Sequence, residues 1–147
     1  MNLVTGATGL LGSHVLIALT KRNMPVRATY RNEQKIAVVK ALFHFYFKDD
    51  ARSRWELISW IKVDLLDIED LKSIVAGSSH IYHCAALVSF FKADFEACIQ
   101  QNRYVTANLV DLSIQFGVQH FCHVSSTAAI GGKEALISEK SKWQVGG

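Results

Sequence analysis

Hydrophobic and polar positions along the chain fall into short blocks whose period switches between two and 3.6. Met1-Asn2-Leu3-Val4-Thr5 is a short apolar strand, and Gly6-Ala7-Thr8-Gly9-Leu10-Leu11-Gly12 turns out of it. From Ser13 to Arg22 the spacing is helical, with Leu11, Val15, Ala18 and Leu19 on one face. An Asn23/Pro25 breaker leads into a second strand, Pro25 to Tyr30. Asn32 to about Phe47 predicts a second helix. Asn32 is its candidate N-cap, Ile36, Val39 and Phe43 lie on one face, and its aromatic end serves packing or a partner.

Lys48 to Arg54 reads as a loop or short helical turn, and Trp55 to Val63 as the third strand region, firmest from Ile58. Asp64-Leu65-Leu66-Asp67 ends that strand, with Asp67 placed to cap a helix from Ile68 to Val75. His80 to Ala86 is a fourth strand, apolar enough to be buried on both faces. Asp94 to Gly117 predicts a long helix with Phe95, Ile99, Asn102, Val105, Leu109, Leu112 and Phe116 in register, stopped by Gly117. Val118 to Ser126 is the fifth strand. Thr127 to Gly132 turns away, and Lys133 to Gly147 is a polar, lysine-rich tail. Strands alternating with helices predict an α/β fold on a parallel sheet.

Composition narrows the class. With 147 residues, half of them hydrophobic and 20% charged, the chain can bury the core of one domain and is not disordered. The net charge of +3 is spread over scattered Lys and Arg, with no basic stripe, so a nucleic-acid partner is not expected. Cys84, Cys98 and Cys122 are odd in number and form no C-x-x-C, which suits a reducing, cytoplasmic setting. The apolar start lacks a basic leader, and no apolar run approaches the ~20 residues that span a bilayer, so neither signal peptide nor membrane partner is expected. His44 has no Cys or carboxylate at ligand spacing, and no metal is expected.

The candidate chemistry starts at the glycine turn. Strand, glycines and helix make a cradle for phosphate. Gly6 permits the tight turn, Gly9 the approach of backbone N–H groups to a pyrophosphate, and Gly12 close packing of helix on strand. The second strand ends in Arg31, where an acid would grip a ribose 2′-hydroxyl. A guanidinium there favours a 2′-phosphate, or simply faces solvent. Asp64 ends the third strand, placed to accept from an adenine amino group or to serve a turn. Ala85 and Ala86 are small enough to let a dinucleotide lie against the backbone, or to pack strand on helix. Asn102 falls on an apolar helix face and is expected to clamp nearby backbone. Ser125 and Ser126 bring hydroxyls to the same sheet edge.

These residues, taken in order, resemble the extended short-chain dehydrogenases of the NAD(P)-dependent epimerase/dehydratase family, in particular the dihydroflavonol-reductase-like members. Thr5-Gly6-Ala7-Thr8-Gly9-Leu10-Leu11-Gly12 resembles TGxxGxxG. Val26-Arg27-Ala28-Thr29-Tyr30-Arg31 resembles the V-R-A-x-x-R of the NADP(H)-using branch. Asp64-Leu65, His83-Cys84-Ala85-Ala86, Asn102 to Asn108 and Val124-Ser125-Ser126 resemble the motifs that follow, with Val105 where the family has Gly.

The resemblance implies a Rossmann-type doubly wound parallel sheet in the order 3-2-1-4-5. It implies NADP, with NAD as the alternative, bound by Gly6, Thr8, Gly9, Leu10, Leu11, Gly12, Arg31, Asp64, Leu65, Ala85, Ala86 and Val124. Ser126 would be catalytic, acting on a small-molecule substrate. The family's Tyr-x-x-x-Lys is absent. Residues four beyond Tyr30, Tyr46, Tyr82 and Tyr104 are Gln34, Asp50, Ala86 and Asn108.

Residues 1–147 are therefore expected to be the incomplete NAD(P)-binding domain of an oxidoreductase or nucleotide-sugar epimerase/dehydratase. The pair and a substrate domain would lie beyond Gly147, and the fragment alone would be inactive. Sheet surface left uncovered is expected to expose an apolar patch and drive homo-oligomerisation. The other reading is a non-catalytic NAD(P) sensor or protein-interaction module.

Overall fold

The computed structural model describes residues 1–127 together with Ser138, Glu139 and Ser141. The expected turn beyond Thr127 and most of the lysine-rich tail lie outside the described residues. The apolar runs form five parallel strands: β1 (Asn2–Thr5), β2 (Val26–Tyr30), β3 (Ile58–Lys62), β4 (His80–His83) and β5 (His120–His123). Their order is β3-β2-β1-β4-β5, a doubly wound Rossmann-type sheet as expected. The register aligns Asn2 with Val26 on one side and with His80 on the other.

Helices connect the strands. These are α1 (Leu10–Lys21), α2 (Gln34–Phe47), α3 (Ala51–Trp55), α4 (Ile68–Val75), α5 (Phe95–Cys98) and α6 (Val105–Gln115). Alternation along β1 divides the core. Val4 packs with Leu16, Ile17, Val39 and Phe43 of α1 and α2. Leu3 packs with Leu71, Ile74, Leu109 and Leu112 of α4 and α6. Successive strand side chains point to opposite faces, so one four-residue strand seeds both layers.

Local signals hold in most places. Asp67 caps α4, accepting from the backbone N–H groups of Glu69 (2.8 Å) and Asp70 (3.1 Å). Asn32 accepts from Gln34 N–H at 2.9 Å ahead of α2. Gly117 (φ 68°) ends α6 in the left-handed region. Arg27 projects from β2 and donates to the carbonyls of Ile74 (2.9 Å) and Ala76 (3.1 Å), satisfying the C-terminal end of α4.

Several expectations are corrected. α1 starts at Leu10 rather than Ser13, because the glycine turn already contains its first helical residues. Trp55 closes a helix instead of opening a strand. Its ring packs edge-on against Phe43 at 5.4 Å and tilted against Trp60 at 5.6 Å, and Arg52 pairs with Glu56 one turn on. β4 stops at His83, so Cys84 to Ala86 leave the ladder, and β5 is His120–His123 rather than Val118 to Ser126. The long helix is built in pieces. A short 3-10 turn (Lys92–Asp94) leads to α5, and a π-helical segment (Ile99–Tyr104) joins α5 to α6. Only the α6 part buries its apolar face, through Val105, Leu109 and Leu112, while Phe95 and Phe116 are exposed.

Candidate dinucleotide cleft

β1 is the strand at which the connections change direction, and the crevice beyond its C-terminal end is where open α/β sheets take ligands. A cleft of about 360 Å³ lies there. Gly6, Thr8 and Gly9 form one wall, Arg31, Asp64 and Leu65 another, and Ala85 and Ala86 a third. Eight of the sequence-selected residues therefore meet in one place.

The other five sit apart from that lining. Gly12 is buried beneath the turn, and Leu10 and Leu11 begin α1 with exposed side chains. Val124 and Ser126 lie just past β5, one strand further along the edge. The N–H of Val124 donates to the carbonyl of His83 at 3.1 Å and prolongs the β4–β5 pairing by one rung.

The glycine turn has the geometry its composition implies. Gly6 has φ 64°, and a Cβ there would stand 2.7 Å from the Cα and N of Ala85. Gly9 N–H donates to the Gly6 carbonyl at 2.9 Å and closes the turn. Gly9 is also the N-cap of α1. It brings no side-chain cap, and no acid stands in the first turn. The helix N-terminus thus presents backbone donors and partial positive charge uncompensated by its own side chains.

Asp64 does the work of a turn residue while lining the cleft. Its Oδ1 accepts from Leu66 N–H at 3.0 Å, and its own N–H donates to Asp70 Oδ2 at 2.8 Å. Sequence reasoning missed Lys35, which joins Arg31 on the cleft wall. The signal was there: Lys35 follows Arg31 by four residues, in the first turn of α2. It missed Gln101 because that residue stands in the π-helical segment, where helical spacing misplaces side chains. Asn102, in the same segment, is exposed rather than buried, but it is the expected clamp. Its Oδ1 accepts from Leu87 N–H and its Nδ2 donates to the Leu87 carbonyl, both at 2.8 Å. Asn102→Ala is expected to lower stability by about 1 kcal/mol and to speed hydrogen exchange at the Leu87 amide. Unchanged exchange there would remove the clamp.

Beneath the cleft is a buried polar chain. Ala85 N–H donates to Thr5 Oγ1 at 3.4 Å, and Thr5 Oγ1 stands 2.6 Å from His83 Nδ1. On the other side of the ring Nε2 faces Thr106 Oγ1 at 2.9 Å, so the neutral imidazole donates from one nitrogen and accepts at the other. Burial, and secondarily the neighbouring His123 ring, lower the His83 pKa from 6.5 to about 4. The ring is neutral when folded and binds a proton below pH 6.5 when unfolded. Its contribution to stability is therefore present above pH 6.5 and falls away as the pH drops toward 4, by roughly 3 kcal/mol in all. Urea midpoints from pH 7 to 4 should show that slope, and His83→Gln should flatten it. Identical slopes in both proteins would count against the neutral ring.

Cys84 also lines the cleft. Burial, and then nearby Cys122, push its thiol up to about 11, so it is not a thiolate nucleophile at neutral pH. Among the described residues no cluster of His, Cys, Asp and Glu could hold a metal ion. Among the same residues no helix is long and apolar enough to cross a membrane.

The model of the NAD dependent epimerase/dehydratase family matches residues 2–144. Sterol demethylase protein B of Methylococcus capsulatus is 30% identical over 129 residues, 88% of this chain and 35% of that protein. The mouse 3 beta-hydroxysteroid dehydrogenase type 7 is 26% identical over 130 residues, 88% of this chain and 33% of its own. The crystal structure of a UDP-glucuronic acid 4-epimerase from Bacillus cereus in complex with NAD superposes with a TM-score of 0.73 at 25% identity. It covers 95% of this chain and 43% of the epimerase. The chain spans about a third of the length of the curated relatives it matches.

Proposed function

The chain belongs to the NAD dependent epimerase/dehydratase family, and from that premise we propose that it is the dinucleotide-binding part of an NAD(P)-dependent oxidoreductase or epimerase working at a carbinol or ketone, with NADP(H) preferred. The observation that carries this reading is the cleft itself. An uncapped helix N-terminus stands at one wall and two cations, Arg31 and Lys35, at another.

The residues present fit a dinucleotide. The N–H groups at Leu10 and Leu11 would hold the pyrophosphate, and the turn leaves no room for a Cβ at Gly6 or Gly12. Arg31 and Lys35 would take the 2′-phosphate, and Asp64 and Leu65 would border the adenine. Ala85, Ala86 and Val124 would flank the ribose and nicotinamide. When bound, the nicotinamide supplies or accepts the hydride. Ser126 would orient the substrate oxygen by hydrogen bonding. The Thr5–His83–Thr106 chain ties the ends of β1 and β4 to one another and to α6.

Titration of the chain with NADPH and NADH tests the reading. Saturable binding, tighter for NADPH, is the expected result, and no binding of either overturns it. Dinucleotide binding without turnover by the whole protein would return the non-catalytic sensor reading. The relatives' names carry two substrate classes, steroids and nucleotide sugars.

A further inference from the structure

The segment that leaves β4 changes character within a few residues. Ala85, Ala86 and Leu87 line the cleft, and Leu87 is held at both its backbone groups by Asn102. From Ser89 onward the same segment borders a second hollow, of about 480 Å³, whose walls are Phe90, Phe91, Phe95 and Cys98 with Ser89 and Lys92 at the rim. The rings are bare. Phe90 is 96%, Phe91 78% and Phe95 67% exposed. The bend that presents them is nevertheless fixed. Ser89 Oγ donates to Asp94 Oδ2 at 2.6 Å and accepts from Phe91 N–H at 3.2 Å. The two hollows also share their helical wall. Gln101 borders the cleft, and Cys98, one turn earlier, borders the aromatic hollow.

Resting on the cofactor reading above, we infer that this aromatic hollow receives the body of the substrate, and that the substrate is a fused-ring apolar alcohol or ketone of steroid type rather than a nucleotide sugar. Hydride transfer needs the reacting carbon against the nicotinamide, so the rest of the substrate must lie along whatever adjoins that end of the cleft. Here the adjoining surface is a pinned bend carrying Phe90 and Phe91, with Phe95 beside them at the start of α5. It offers apolar contact to a rigid ring system. Among the described residues, Lys92 is the only cation on its walls, and no aspartate or glutamate lines it to accept sugar hydroxyls. A nucleotide sugar would set its polar hydroxyls against phenyl faces and leave them without partners.

The test uses tritiated pregnenolone in equilibrium dialysis, with and without saturating NADPH, and UDP-glucose as the rival probe. The F90S/F91S double variant changes only solvent-facing rings, so it should keep the wild-type melting midpoint and NADPH titration. The expected result is pregnenolone binding by the wild type and a loss of about tenfold or more in the variant, with UDP-glucose unbound. Equal pregnenolone binding by both proteins, none by the wild type, or UDP-glucose binding undiminished in the variant overturns the inference and leaves the cofactor reading standing. Failure of NADPH to titrate sinks the cofactor reading, while the dialysis without cofactor still decides the hollow. A wild-type dimer that becomes monomeric in the variant, with steroid binding unchanged, would assign the rings to self-association and overturn the inference.

Discussion

Replacing Gly6 by valine is expected to destabilise the chain by about 3 kcal/mol or more and to abolish dinucleotide binding. Two costs combine. At φ 64° a β-branched residue is forced into the left-handed region. Its Cβ would also meet backbone atoms: the Cα and N of Ala85 at 2.7 Å and the carbonyl carbon of Cys84 at 2.9 Å. Those atoms belong to the chain just leaving β4, next to the hydrogen bonds from Cys84 N–H to the Thr5 carbonyl and from Ala85 N–H to Thr5 Oγ1. Yielding to the side chain would part the central strands. Gly77 (φ 73°) supplies the control, because a Cβ there meets nothing within 4 Å. Gly77→Ala carries only the backbone strain, on the order of 1–2 kcal/mol. Chemical denaturation of the two variants separates strain from collision. Equal losses would mean that the approach of Ala85 is immaterial.

The second large effect is expected at Arg31. Arg31→Asp should weaken NADPH binding roughly a hundredfold while changing NADH affinity only a few-fold. A guanidinium bonded to a phosphate is worth ~1.5–3 kcal/mol, and the new carboxylate adds repulsion to the same 2′-phosphate. NADH lacks that phosphate and meets a residue able to accept from its 2′-hydroxyl. Lys35 stays on the cleft wall, so the loss should be incomplete and should deepen when Lys35 is also replaced by alanine. Raising the salt concentration should narrow the wild-type preference for NADPH, since both cations face solvent. Equal loss for the two dinucleotides would remove Arg31 from the 2′-phosphate.

The glycine turn and the five strands were readable because each rests on short-range physics. A left-handed glycine, an apolar run and a capping aspartate each act within a few residues. Asp67 and Gly117 behave as their residue types dictate. Where strands end was harder, because it depends on which neighbour continues the ladder. Val118 to Ser126 reads as one strand, yet the ladder starts at His120 and only a single rung continues past His123. Trp55 was misplaced for a related reason. A tryptophan suits a strand by propensity, but rings at Phe43 and Trp60, distant in sequence, decide its packing. The π-helical segment has no sequence signature at all. It shifts Gln101 into the cleft and turns Asn102 toward Leu87, and both follow from a local change of helical period. Lys35 was legible from its place in the first turn of the helix that begins beside Arg31, one turn beyond that residue.

The strand order also fixes when the sheet can close. β1 is made of almost the first residues of the chain, yet Asn2 takes its partner across the sheet from His80, 78 positions later. β2 can dock on β1 and β3 on β2 through neighbouring connections, so the first half can assemble as a three-stranded unit on its own. The edge of β1 that β4 will pair with must wait through synthesis of the whole segment between them. On a ribosome adding about 5–20 residues per second, that is a delay of several seconds with an unpaired central edge. Such an edge is a template for another chain, so folding yield should depend on how quickly His80–His83 arrives rather than on the stability of the finished sheet.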